Sequence, residues 1–146
     1  MAVPVGKRNV PDNVSNSYLI AGARARELSL HTIKICCNKK IFLEQYQGAL
    51  TDDLIKTSKD IFVKTSDAND IRVTDIARWE SRKAMQVEAI ALCGRMKRLI
   101  GLARALFHLR NAKASYWVGL VEETQSLLRH WHEKDCERYN SKFSGT

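Results

Sequence analysis

Between Asp75 and Leu109 the side chains Ile76, Trp79, Ile90, Cys93, Met96, Ile100, Ala103 and Phe107 follow a rhythm that alternates three and four, and Arg82 and Gln86 stand where the same rhythm asks for apolar groups. That spacing keeps one stripe of an α-helix packed knob-into-hole against its neighbours. The only prolines are Pro4 and Pro11, so nothing downstream interrupts a helix. Thr74-Asp75 offers a capping side chain just before the stripe begins. The pattern predicts a helix from Asp75 to about Leu109, far longer than the average of about 11–12 residues. Such a stripe has to be covered by other helices of comparable length.

Three more helices follow from the same reading. Ser15 or Asn16 caps a first helix to about Cys37, with apolar positions Leu19, Ile20, Ala23, Leu28, Leu30, Ile33 and Cys37. Residues 38–50, with Gly48 near their end, read as a loop. Thr51-Asp52-Asp53 reads as a cap followed by acids at the positive helix end. The second helix then runs to about Ser66, presenting Leu54, Ile55, Ser58, Ile61, Phe62 and Thr65, and Ser66–Asp70 reads as its exit. Arg110-Asn111 marks the turn into a last helix from Lys113 to Arg138, with Trp117, Leu120, Val121, Thr124, Leu127, Leu128 and Trp131 on its stripe. There is no β alternation of useful length. The expected fold is all-α: an antiparallel up-down four-helix bundle over residues 14–139. A flexible basic arm, residues 1–13 with Lys7 and Arg8, precedes it, and a flexible tail, residues 140–146, follows.

The 146 residues suit one domain with a core that needs no staples. Cys36, Cys37, Cys93 and Cys136 form no CxxC pair and read as free thiols of a reducing cytoplasm. No apolar run is long enough to span a membrane, and the N-terminus lacks the apolar segment and cleavage pattern of a secretory signal.

With 24 Lys and Arg against 16 Asp and Glu, the net charge is +8, a balance that favours a polyanionic partner. The excess is concentrated. The 33 residues from Ala89 to Val121 contain no carboxylate, yet they carry Arg95, Lys97, Arg98, Arg104, Arg110 and Lys113. Helix surfaces normally interleave signs, because opposite charges three or four apart stabilise a helix and like charges do not. On a helix Arg95, Arg98 and Leu102 share one face, and Lys97 and Arg104 lie on another. These six are the candidate nucleic-acid and partner contacts, holding phosphates as point charges or forks. The plainer alternative is a solvated face on a basic protein.

Other constellations carry less. Trp79, Trp117 and Trp131 could stack on bases, but they lie on or beside the apolar stripes, where core packing takes precedence. His132 and Cys136 stand one turn apart, a spacing that suits a metal, but no further ligands accompany them. Arg82 and Gln86 read as members of a structural network. There is no glycine-rich phosphate loop, nucleophile elbow or paired-carboxylate cleft. No catalytic residue, metal or cofactor is assigned, and the chain reads as a binder rather than an enzyme.

The stretch RWESRKAMQVEAIALCGRMKRLI resembles a pattern in the accessory variability determinant (Avd) proteins of diversity-generating retroelements, with Glu80, Arg82, Met85, Gln86, Ala89, Ile90 and Cys93 at the matching positions. The last helix, ETQSLLRHWHEKDCERY, resembles the family's closing Leu-Ile-x-x-Trp through Leu127, Leu128 and Trp131, and VPVGKR resembles the start of some members. The likeness covers residues 75–146. Met85 stands where the family has an aromatic residue, and Gly94 where it has an acid. The wider bundle family also includes proteins tied to ribosomal RNA intervening sequences.

The resemblance implies a ring-shaped homo-oligomer, a pentamer, with a basic surface. It also implies binding to the element's reverse transcriptase and its template RNA (or DNA), in support of mutagenic cDNA synthesis, without catalytic activity. The six cations are chosen on charge grounds rather than from a family motif. Two other readings compete: a structural or assembly protein whose basic face meets an acidic protein, and an enzyme with a site inside the bundle.

Overall fold

The computed structural model describes residues 15–144. Among them are four α-helices and no strand: α1, Asn16–Cys36; α2, Asp52–Asp70; α3, Ile76–Phe107; and α4, Asn111–Phe143. A 3-10 turn at Glu44–Tyr46 and a π turn at Gln47–Thr51 lie between α1 and α2. The main contacts join α1 to α2, α2 to α3, α3 to α4 and α4 back to α1. Each helix thus has two neighbours, and the core runs between all four. The all-α expectation holds. The arm expected over 1–13 lies outside the described residues.

Local chemistry explains most helix ends. Ser15 Oγ accepts from the Tyr18 amide at 3.1 Å, and Asp75 Oδ1 accepts from the Arg78 amide at 2.9 Å, so two of the expected caps form. Thr51 is a correction. It has helical backbone angles (φ −59°, ψ −42°) and makes no capping bond, because the π turn runs straight into α2 and leaves Thr51 inside a continuous coil. Its hydroxyl is buried without a partner among the described residues.

The exit expected at Ser66–Asp70 is also corrected: these residues are helical. Ala68 and Asn69 are buried there, and Ser66 Oγ donates to the Phe62 carbonyl at 3.1 Å, which keeps its polar group within the helix. The end comes at Ile71, whose carbonyl accepts from Arg82 Nη1 at 3.3 Å. At the other end of the chain, α4 runs past Arg138 to Phe143, so most of the expected tail is helical. Buried Tyr139 and the bond from Trp79 Nε1 to Asn140 Oδ1, 2.9 Å, tie that last turn to α3.

On α3 most of the sequence stripe is buried, from Trp79 through Ala103 with Arg82 and Gln86 included, but Ala89 takes the buried place expected of Ile90, Ile90 and Phe107 are half-buried, and Ile76 is exposed. α1 differs. Leu19, Ile20 and Leu30 are exposed, as are Ala23 and Cys37, and the buried line is Ala21, Ala25, Leu28, Ser29, Thr32 and Cys36. The reason lies in α4. Tyr18 packs on Trp131 at 5.2 Å between ring centroids, and Thr32 Oγ1 accepts from Trp117 Nε1 at 2.9 Å. Tyr18 to Thr32 and Trp117 to Trp131 are intervals of equal length, 14 residues, so α1 lies along the two indoles. Small residues face that seam because large ones already fill it from the other side. Trp79, Trp117 and Trp131 are 1%, 1% and 0% exposed, which makes them core residues and excludes them as stacking platforms in this fold. Each contributes on the order of 150–250 Å² of burial to the core.

Candidate nucleic-acid interface

The acid-free segment spans α3 from Ala89 to its end, the turn 108–110 and the first part of α4. Glu88, which bounds it on one side, pairs with Lys64 of α2 at 2.7 Å; on the other side Glu122 is exposed, and its neighbour Glu123 pairs with Arg24 of α1. The remaining ion pairs among the described residues engage Glu27, Glu44, Asp60, Asp75, Glu80 and Asp135. None of the six candidate cations takes part in any of them. Charge left unpaired in this way remains available to a polyanion.

The six do not form a single cluster. Arg95 and Arg98 are exposed neighbours on one face of α3, a turn apart as i and i+3. Arg98 lies over Gly94, where a Cβ would stand 3.6 Å from Arg98 Nη1. An acid at position 94, as the resemblance expects, would sit one turn before Arg98 and pair with it; glycine leaves the guanidinium uncompensated. Around the two arginines lie exposed apolar side chains, Val87 at 51% and Leu102 at 59%.

Arg104 and Arg110 form a second group, Arg104 about 9 Å beyond Arg98 along the axis of α3 at 1.5 Å per residue and Arg110 at the cap of α4. Both are exposed at the turn between α3 and α4. Arg104 Nη2 donates to Asn111 Oδ1 and staples the turn. His108, in the left-handed region at φ 53°, ends α3. Lys113 is exposed on the first turn of α4, on the side that faces Lys34 of α1 across a pocket. Lys97 is different: it is half-buried, and its ammonium donates to Gln125 Oε1 at 3.2 Å. Gln125 in turn donates to the Ile90 carbonyl at 3.1 Å. Lys97 thus belongs to the α3–α4 seam more than to an open surface.

The polar network foreseen at Arg82 and Gln86 is present, and its centre is Asp135, which sequence reasoning missed. Asp135 Oδ2 accepts from Arg82 Nε at 2.8 Å, Arg82 Nη2 at 2.7 Å and Gln86 Nε2 at 2.8 Å. Arg82 also lies 5.3 Å from the Trp131 ring. Because the Gln86 amide nitrogen faces Asp135, its oxygen faces His132 Nδ1 at 2.7 Å, so that ring nitrogen carries the proton. His132 and Cys136 therefore extend a hydrogen-bond chain, with Cys136 Sγ 3.6 Å from Nε2. Burial holds His132 below its ordinary value and pushes the Cys136 thiol up, so neither is charged at neutral pH. The missing signal was on the page: the stripe Leu128, Trp131 continues at the same spacing through Asp135 to Tyr139.

No family model, curated protein or solved structure matches the chain.

Proposed function

We propose that this protein is a non-catalytic nucleic-acid-binding accessory factor, an antiparallel up-down four-helix bundle that assembles into a pentameric ring. In this reading it works in the cytoplasm beside a retroelement reverse transcriptase and its template RNA, and supports mutagenic cDNA synthesis. The observation that carries the reading is the carboxylate-free segment whose exposed arginines, Arg95, Arg98, Arg104 and Arg110, enter no ion pair among the described residues. The pairing of early α1 with late α4, and of early α3 with late α4, supports the antiparallel arrangement. The Avd-like pattern of α3 and α4 supports the retroelement setting.

Titrating structured RNA at rising salt, with light scattering in the same buffer, tests it. Binding through three or four phosphates gives a slope of log affinity against log salt of about −2 to −4. Arg95→Glu with Arg98→Glu lowers the magnitude of that slope by about 1.5–2 and leaves helicity intact. A monomer that ignores RNA at low salt overturns the reading. A second reading, an assembly protein with a basic face for an acidic partner, draws support from the exposed Val87, Leu102 and Leu106 beside the same arginines. Tight, salt-sensitive binding to an acidic polypeptide without RNA binding would favour it.

A further inference from the structure

The end of α1, the loop behind it and the first turn of α4 enclose an open pocket of about 470 Å³, within the range of small-ligand sites. Phe42 and Trp117, 2% and 1% exposed, form its floor, and Ile35 and Leu109 stand in its walls. The body of the cavity is therefore apolar. Its rim is not neutral. Lys34 reaches it from α1 and Lys113 from α4, and none of its lining residues is acidic. The first turn of α4 adds to this. Arg110 at its cap makes no side-chain bond, the turn contains no acid, and Ala112 and Lys113 of that turn line the pocket. Helix-start amides that no side chain caps present positive potential. His31 closes one side, its ring edge-on to Tyr116 at 5.1 Å. Burial holds it below its ordinary value, so at neutral pH the positive charge at the rim comes from the lysines.

An apolar chamber with a cationic mouth discriminates by charge as well as shape. A neutral hydrocarbon leaves the lysines without a partner, and a cationic one is repelled. We infer that this pocket binds a small amphipathic anion, with a compact alkyl or aryl body seated on Phe42 and Trp117 and a carboxylate held at the mouth by Lys34, Lys113 and the start of α4. The inference goes beyond the nucleic-acid reading, sharing only Lys113 with it, and its test needs no RNA.

The test titrates the full chain with decanoate, decanol and decylammonium in parallel, followed by calorimetry and by the Trp117 indole N–H resonance. That N–H is a fixed reporter in the pocket floor, held by Thr32 Oγ1. Decanoate is expected to saturate at a single site, about tenfold or more tighter than decanol, with decylammonium weakest. Ala112→Trp, at an exposed lining position, should fill the pocket and abolish binding. Lys34→Glu with Lys113→Glu should bring decanoate down to the level of decanol. Three results each overturn the inference: no saturable shift of the Trp117 resonance, equal affinity for the three ligands, or undiminished binding by folded Ala112→Trp. If that variant does not fold, the ranking of the three ligands on the unmodified chain decides alone.

Discussion

Replacing Asp135 with leucine removes the acceptor on which Arg82 and Gln86 converge. The Arg82 and Asp135 side chains are 0% and 3% exposed, and three donors meet one carboxylate oxygen at 2.7–2.8 Å. The substitution leaves a guanidinium inside the bundle without its counter-charge, a loss of about 3–5 kcal/mol. A domain of this kind holds about 5–15 kcal/mol in total, so the variant should fold marginally and melt roughly 10–20 °C lower. The double variant Arg82→Met with Asp135→Leu removes both charges and fills the space with apolar atoms. It should lie within about 2 kcal/mol of the parent, because a buried pair and its apolar replacement are nearly equivalent. Urea unfolding followed by far-UV circular dichroism, on the parent, both single variants and the double, closes the cycle. Each single variant leaves one buried charge uncompensated, at about 3–5 kcal/mol, and the double costs at most about 2, so the coupling should reach at least about 4 kcal/mol, above the usual range for contacting residues. If Asp135→Leu costs less than about 1 kcal/mol, or the double variant loses the sum of the singles, the network does not hold α3 to α4 as described.

Three further outcomes are expected. Burial, the largest influence, holds both His31 and His132 below the ordinary 6.5 despite Glu27 beside the first and Asp135 beside the second. The unfolded chain then takes up more protons as pH drops, so this stability is complete above pH 6.5 and is lost as pH falls from there toward the folded values. Melting temperature should decline over that window, and His31→Gln with His132→Gln should flatten the decline. Native thiol labelling should modify exposed Cys37 first and half-buried Cys136 more slowly, while Cys36 and Cys93, pushed up to about 12 by burial, should react only after unfolding. His108→Gly should raise stability by about 0.5–1 kcal/mol in a thermal melt, because glycine adopts the left-handed angle without the Cβ clash. An unchanged melt would mean that the imidazole contributes as much as its backbone strain removes.

The long α3 stripe was legible because its rhythm persists over eight turns and two polar interruptions, and a pattern that long has few alternative readings. α1 was misread, Leu28 apart, because the rest of its core line is written in small residues, Ala, Ser, Thr and Cys, that give a weak apolar signal. Their burial follows from the indoles of a helix some hundred residues away, information that no local window contains. Thr51 looked like a cap because capping chemistry is local, whereas the π turn that displaces it joins two segments. The six cations were legible as charge. Their division into an open pair, a turn group and a seam lysine was not, since Lys97 is drawn inward only by Gln125 of the facing helix. Lys34 escaped notice for the same reason that α1 was turned the wrong way.

The placement of the three indoles has a spectroscopic consequence. All three tryptophans lie on α3 and α4, and none on α1 or α2. Trp79 packs on Tyr139 and bonds Asn140, both on α4, so its emission reports the docking of α4 on α3. Trp117 bonds Thr32 of α1 and reports arrival of the N-terminal half, whereas Trp131 touches both Tyr18 of α1 and Arg82 of α3 and reports both events. Variants retaining Trp79 alone, or Trp117 alone, would time the two events separately. The three-residue turn makes the α3–α4 contact the entropically cheaper one, and fluorescence from Trp79 should reach its native value first.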